Sequence, residues 1–348
     1  MDKHDALIDR LRDSGFADHE IEEASDSGGL ATLAVEAALG GHGRYSLTAV
    51  AREAGIGLPY LRELLQAIGR PNPPRGTRCF TEEDIELARV AKALLDAGLP
   101  RQEVIEVARV LGQSTSQIAE AVRQLVGDAF LRSGDSEQEL ALRYADATDR
   151  LAPLVPSLLS LTVRAHLRDG IHRALITDAE RRAGKLANTR EMTIAFADLA
   201  GYTELGNVLG SEALGSIAGR FGELVTKALC RPVRLVKMIG DAAMFASPDV
   251  PPMLETLADL RRRVEEADGG LPPIRIGVTH GPATARGGDW YGATVNLASR
   301  VTESAKPGQL LATEAVVERA VDGEWKRRRK LRLKGVDGRV RVFAYHDS

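Results

Sequence analysis

The sequence predicts an α+β chain in two parts: an all-α front half, and a back half built on a βαββαβ order of elements. Three observations predict it. Apolar residues recur at helical spacing as far as about residue 187, and short β-type runs begin only at Glu191. The length, 348 residues, suits two or three domains with ample material for buried cores. The expected boundaries are a helical domain over 1–150, a helical linker over 151–190, and a mixed domain over 191–348.

In the front half, Leu7, Ile8 and Leu11 mark a first short helix. Gly28-Gly29 breaks the pattern before a second run from Leu30 to Leu39. Residues 42–112 form a compact helical unit. Leu47, Val50, Ala51 and Ala54 mark one helix, Gly55-Ile56-Gly57 a tight turn, and Tyr60, Leu61, Leu64 and Leu65 a second helix. The stretch PNPPRGTRCF is rich in turn residues, and Thr81-Glu82-Glu83-Asp84 signals a helix start with acids in its first turn. That helix runs to Asp96, and another follows Gly98-Leu99-Pro100 to Leu111. Helix continues from 114, broken near Ser133-Gly134 and at Pro153 and Pro156, with a long segment over 158–186.

In the back half, the run MTIAFADL is followed by a helix over 205–229, then VRLVKMIG and AAMFAS with Gly240-Asp241 as a hairpin turn. A helix over 253–267, the strand IRIGVTHG, a helix over 293–302, and the strands QLLAT, KLRLKG and VRVFAY complete it. The order is that of a ferredoxin-like core.

Composition narrows the function classes. Hydrophobic residues are 44% and charged residues 27%, which excludes collagen-like, disordered and membrane-embedded chains. Cys79 and Cys230 cannot build a disulfide framework or a four-cysteine zinc site, so a reducing, cytoplasmic setting is expected. The charged N-terminus is no signal peptide. The most apolar stretch, Leu151 to Val163, holds two prolines and falls short of the roughly 20 residues of a membrane span. Residues 1–150 carry 17 Lys/Arg against 26 Asp/Glu, while 151–348 carry 29 against 23. The basic half is the better candidate for an anionic ligand.

Three segments of that half carry chemistry. FADLAGYT puts Asp198 at a strand end before a helix start, where a carboxylate can hold a hard cation and backbone amides can face phosphates. In VKMIGDAAMF, Asp241 sits at the turn as a second carboxylate, and Lys237 lies in an apolar strand where an unpaired ammonium is costly. In GGDWYGATVNLASRV, Asn296 and Arg300 share a helix face, and Asp289 lies in the loop before them. Taken singly, each has an ordinary alternative: an Asp beside Gly is common turn chemistry, and an Asn–Arg pair is common on helix surfaces.

Together, in this order and spacing, the segments resemble the catalytic domain of class III nucleotide cyclases, over about residues 191–345. The resemblance implies an adenylate cyclase that converts ATP to cyclic AMP and pyrophosphate. It implies two Mg²⁺ or Mn²⁺ ions per site held by Asp198 and Asp241, an adenine read by Lys237 and Asp289, and a transition state stabilised by Asn296 and Arg300. Lys334 corresponds loosely to a phosphate-binding lysine. It also implies a homodimer, with the metal aspartates from one chain and the other four residues from its mate. A guanylate cyclase is the alternative, but it would place Glu-like and Cys-like groups where Lys237 and Asp289 stand. Arg286-Gly287-Gly288-Asp289 is similar to the GGDEF signature of diguanylate cyclases, yet here Trp290-Tyr291-Gly292 leads into a helix, so that match is set aside.

Residues 46–111 resemble the helix-turn-helix domain of MerR-type regulators, which raises a second alternative: a DNA-binding regulator whose cyclase-like half senses nucleotide. Residues 42–112 carry 10 basic and 9 acidic side chains, without the basic excess that phosphate binding needs, so DNA is an unlikely partner. The whole chain resembles actinobacterial-type adenylate cyclases with a helical N-terminal regulatory domain. The expected input there is a small regulatory ligand, or a proton taken up by His166 or His172.

Overall fold

The structure, a computed structural model, describes residues 3–130, 132, 134, 136–173, 189–267, 270–321, 323–328, 330–332, 334–335 and 338–346. The chain divides into two compact units, Met1–His172 and Arg173–Ser348.

The helical unit has two cores. In the first, α1 (Lys3–Asp13), α2 (Asp18–Ser27) and α3 (Leu30–Ala38) pack with α8 (Glu137–Leu151) through Leu7, Leu11, Phe16, Ile21, Leu30, Ala141 and Ala145. Three helices stand where two were expected, because Gly15 at φ 99° stops the first run early. Arg10 ties α1 to α8, its Nη2 donating to Asp149 Oδ1 at 2.6 Å.

The second core joins α4 (Leu47–Ala54), α5 (Leu58–Ala67), α6 (Glu82–Asp96) and α7 (Arg101–Phe130) around Val50, Leu61, Leu64, Leu65, Phe80, Ile85 and Ile105. Ser46 caps α4 by accepting from the Ala49 amide at 3.3 Å. The N–H of Thr81 donates to Asp84 at 2.9 Å, so Asp84 holds the start of α6 and binds Arg70 as well. This half is not purely helical: β1 (Tyr45–Ser46) and β2 (Arg78–Phe80) form a small antiparallel pair. Helix α7 continues to Phe130 instead of stopping near Leu111. Gly112 is a packing glycine, not a terminator: a Cβ there would meet the backbone of Ile68, 2.7 Å from its carbonyl oxygen. Helix α9 (Leu154–Arg173) ends the unit. The second half of the long helix expected to 186 lies outside the described residues.

The back unit is one eight-stranded sheet with the order β4-β5-β3-β6-β8-β10-β9 and β7 beside β6. Its strands are β3 (Thr189–Leu199), β4 (Arg234–Ile239), β5 (Ala242–Ser247), β6 (Ile274–Arg286), β7 (Asp289–Tyr291), β8 (Leu310–Thr313), β9 (Glu324–Arg327) and β10 (Val342–His346). Helices α10 (Tyr202–Leu205), α11 (Ser211–Ala228), α12 (Val250–Glu265), α13 (Ala293–Glu303) and α14 (Glu314–Val317) connect them. Strand β6 runs parallel to β8; the other pairs are antiparallel. The first four strands realise the expected βαββαβ order. Strand β9 was not foreseen, and the described residues of KLRLKG form no strand, only a bridge between Leu331 and Val340.

Alternation along the strands assigns two faces. Ala195, Ala197, Leu199, Phe245, Ile276 and Val278 join Phe221 and Val225 of α11 and Met253, Leu257 and Leu260 of α12 in one core. Met192, Ile194, Met244 and Ala283 face the other way, against Ala298 of α13. No helix among the described residues is long and apolar enough to cross a membrane.

His280 of β6 is a buried titratable group, its side chain 7% exposed, with Nδ1 3.0 Å from Thr193 Oγ1. Burial pushes its pKa down and the charge of Arg319 adds to this, while Glu191 and Asp249 oppose it. As pH falls below about 6.5 the unfolded chain takes up a proton that the folded chain resists, so stability falls. The melting temperature should drop between pH 7 and pH 5, and His280→Gln should flatten that slope; equal slopes would mean His280 stays uncharged on unfolding or is solvated when folded.

Candidate active site

The end of β3 brings the first charged cluster together. Asp198 lies on the α13 face of the sheet, in the alternation of Met192, Ile194 and Phe196, and its cross-strand partners are Ala242 and Arg275. Gly240 at φ 60° turns β4 into β5 and sets Asp241 beside that strand end, where the Leu199 amide donates to the Asp241 carbonyl at 3.2 Å. Burial pushes the Asp241 carboxyl up in pKa; its own backbone N–H pulls it down, and the nearby negative charge of Asp198 raises it again. Arg275 offsets part of that repulsion, with Nε and Nη2 at 2.7 and 2.5 Å from Asp198 Oδ2. Sequence reasoning missed Arg275, because only strand register reveals a cross-strand partner.

A second cluster pairs Lys237 with Asp289, whose other oxygen accepts from the Trp290 amide at 2.8 Å. Strand β4 achieves this with a bulge between Leu235 and Lys237. In plain register Val236 would stand opposite Met244; the extra residue puts Lys237 there instead, on the face that carries Asp198. The tip of β6 and β7 supplies Asp289.

Helix α13 carries Asn296 and Arg300. Asn296 is exposed, and Arg300 Nη1 donates to both oxygens of Glu303 at 2.6 and 2.8 Å. The helix starts at Gly292, whose φ of 125° favours glycine. It is pinned to β6: Thr294 Oγ1 donates to the Pro282 carbonyl at 2.7 Å, and Thr279 Oγ1 to that of Thr294 at 3.0 Å. Thr302 Oγ1 donates to the Ala298 carbonyl at 2.9 Å. Lys334 is exposed in the turn between Leu331 and Val340.

The structure therefore joins Asp198 with Asp241 and Lys237 with Asp289, while Arg300 pairs with Glu303 of its own helix. Among the described residues no group of three or more His, Cys, Asp or Glu side chains could hold a metal alone. Two hard oxygen donors with depressed mutual charge tolerance do suit a divalent cation that takes its remaining ligands from phosphate and water. Separately, a cavity of about 890 Å³ opens in the helical unit, lined by Val35, Leu39, Arg70, Leu87, Arg123 and Tyr144 among others. His166 is exposed on α9, and the side chain of His172 lies outside the described residues.

The family described as adenylate cyclase regulatory domain matches residues 2–171, and that described as adenylate and guanylate cyclase catalytic domain matches residues 185–346. A pH-sensitive adenylate cyclase of Mycobacterium tuberculosis (strain CDC 1551 / Oshkosh) is 34% identical over 347 residues, 97% of this chain and 86% of the relative. An adenylate cyclase of Streptomyces griseus is 31% identical, covering 87% of this chain and 75% of the relative. Among solved structures, the adenylyl cyclase CyaB from P. aeruginosa is similar with a TM-score of 0.42 and 22% identity, over 47% of this chain and 97% of that one.

The position of α13 depends on Gly277 of β6, where a Cβ would collide with the backbone of Thr302 and stand 2.8 Å from the Ala298 carbonyl. Gly277→Ala should cost about 1–3 kcal/mol, read as a drop in melting temperature. An unchanged melting temperature would show that α13 does not depend on that close approach.

Proposed function

The chain belongs to the class III adenylate cyclases, and from that premise we propose how its own residues turn ATP into cyclic AMP and pyrophosphate. The observation that carries the adenine reading is the contact between Lys237 and Asp289, an ammonium donor beside a carboxylate acceptor. The Watson–Crick edge of adenine offers a ring-nitrogen acceptor beside an amino donor, which matches that pair. Guanine offers a carbonyl acceptor and a ring N–H, the opposite order, so a site built on this pair rejects it.

Asp198 and Asp241 are the carboxylates that fit the family's divalent metals, Mg²⁺ or Mn²⁺. Two such ions in the site would lower the pKa of the ribose 3′-hydroxyl and offset charge growing on the phosphates. The 3′-oxygen forms a bond to the α-phosphorus, the bond from that phosphorus to the bridging β-oxygen breaks, and the hydroxyl proton is lost. Arg275 neutralises Asp198, and its guanidinium would be free to turn toward the triphosphate if divalent ions took over that role. Asn296 holds the ribose, and Arg300 leaves Glu303 to meet the α-phosphate as its charge develops. Lys334 is the candidate for the terminal phosphates. These steps are positioning and electrostatics, which is what phosphoryl transfer asks of a protein.

A two-fold homodimer completes the site, the carboxylates of one chain facing Lys237, Asp289, Asn296 and Arg300 of its mate. Within one chain the side-chain partner of Arg300 is Glu303 of its own helix, which supports this. The helical unit acts as regulator, with its cavity as the place for a small ligand. Its charges support that role over DNA reading, since Arg52 pairs with Glu53, Glu63 with Arg101, and Asp84 with Arg70.

Arg300→Ala should lower kcat about 10²–10³-fold with a smaller effect on KM. Mixed in equal parts with Asp198→Ala, it should recover about a quarter of wild-type activity, because half the dimers then hold one intact site. Absence of recovery in a mixed dimer would place the whole site within one chain. Lys237→Ala and Asp289→Ala should each raise KM for ATP and narrow the ATP/GTP ratio of kcat/KM; an unchanged ratio would remove these two residues from base reading.

A further inference from the structure

Positive charge is concentrated in one short run of the back unit. Residues 326–341, KRRRKLRLKGVDGRVR, hold nine Lys/Arg and a single acid. The rest of the chain holds 37 Lys/Arg against 48 Asp/Glu. An acidic protein thus carries one strongly basic strip.

The fold sets this strip on a free border. Strand β9 ends the sheet and pairs only with β10. Lys326, Arg327, Arg328, Lys330, Arg332 and Arg339 are exposed, and among the described residues none of them forms an ion pair. Arg341 does, with Glu314 at 2.7 Å. Successive side chains of β9 point to opposite faces, yet stems as long as those of Lys and Arg reach past an edge from either face. One or two charges are enough to guard an edge strand against pairing. Like charges at this density repel one another unless anions face them. Strand β9 lies four strands from β3, about 19 Å at the usual strand spacing, so within one chain the strip is no part of the Asp198–Asp241 cluster.

The neighbours of the strip distinguish its partner. Surfaces for single-stranded nucleic acid interleave cations with exposed rings that stack on bases. Here the rings at β9 are used internally: Trp325 and Tyr345 meet edge-on at 5.0 Å, and both pack on the core. What stands free is apolar: Val321, in the turn ahead of β9, is 77% exposed. Unpaired cations beside an exposed apolar tip suit an anionic lipid surface, where the cations meet headgroup phosphates and the tip enters between them. The same surface repels the acidic remainder of the chain, which leaves this edge to approach it.

We propose that the β9 edge docks the chain on an anionic lipid surface through Lys326, Arg327, Arg328 and Lys330, with Val321 at headgroup level. The docking does not depend on the reading of the carboxylate site, and Lys334, the candidate for the terminal phosphates, is left out of it.

The test is co-sedimentation of the full chain with vesicles. The native chain should bind vesicles of equal parts phosphatidylcholine and phosphatidylglycerol, ignore pure phosphatidylcholine, and come off at high salt. Each Lys or Arg near such a surface is worth about fivefold in binding, so Lys326→Gln, Arg327→Gln, Arg328→Gln and Lys330→Gln together should weaken it at least a hundredfold. Arg52→Gln, Arg89→Gln, Arg109→Gln and Arg150→Gln remove the same charge from the helical unit and should change binding less than threefold. Val321→Asp alters one exposed side chain and should weaken binding at least fivefold at an unchanged melting temperature. Saturating ATP should not release the chain. No binding to the anionic vesicles, equal binding to both kinds, equal losses in the two quadruple variants, or a Val321→Asp chain that binds like the native one would each overturn the proposal. Release by ATP would assign the strip to the triphosphate, and release by RNA or duplex DNA at matched phosphate concentration would assign it to nucleic acid; either result overturns it as well.

Discussion

Two carboxylates held side by side and half buried repel each other, and the architecture around them is organised by that repulsion. Asp198 ends β3 and Asp241 lies in the turn just before β5, and the pairing of Asp198 with Ala242 brings the two together. Water is partly excluded, which raises the cost of charging Asp241. The guanidinium of Arg275, set directly across from Asp198 on β6, offsets part of that repulsion. In the proposed function, divalent ions brought with a nucleoside triphosphate would supply further positive charge, and the phosphates further oxygen ligands.

The remaining site residues are aimed by backbone devices. Glycines at 277 and 281 let α13 approach β6 closely, and two threonines, Thr279 and Thr294, fix its height along the strand. Asn296 and Arg300 thus sit on a rigid helix, which suits groups that must meet charge only in the transition state. Arg300 forms an exposed pair with Glu303, an interaction weak enough to be given up for the phosphate of the proposed mechanism.

Much of this was legible in the sequence. The alternation in MTIAFADL and the helical spacing in ATVNLASRV set the elements, and residue types in three short segments pointed to the chemistry. What stayed hidden shares one cause: it depends on contacts distant in sequence. Arg275 is unremarkable until β6 is laid against β3. Gly112 reads as a helix end until Ile68 is seen against it. KLRLKG alternates like a strand, but Glu324–Arg327 takes the place beside β10, where Trp325 packs against Tyr345. The tie between Lys237 and Asp289 needed the bulge, which local pattern does not announce.

That bulge has a consequence for how such a protein can change. In the proposed site the residue that would read the base is chosen by one surplus position in β4, whereas the carboxylate pair is fixed by β3 and the turn after Ile239. Loss of the Lys237 codon would close the bulge with Val236 opposite Met244, trading an ammonium for an isopropyl group at the proposed base-reading point and leaving Asp198 and Asp241 in place. Nucleotide preference and reactivity are thereby separable in heredity, free to drift at different rates within one fold.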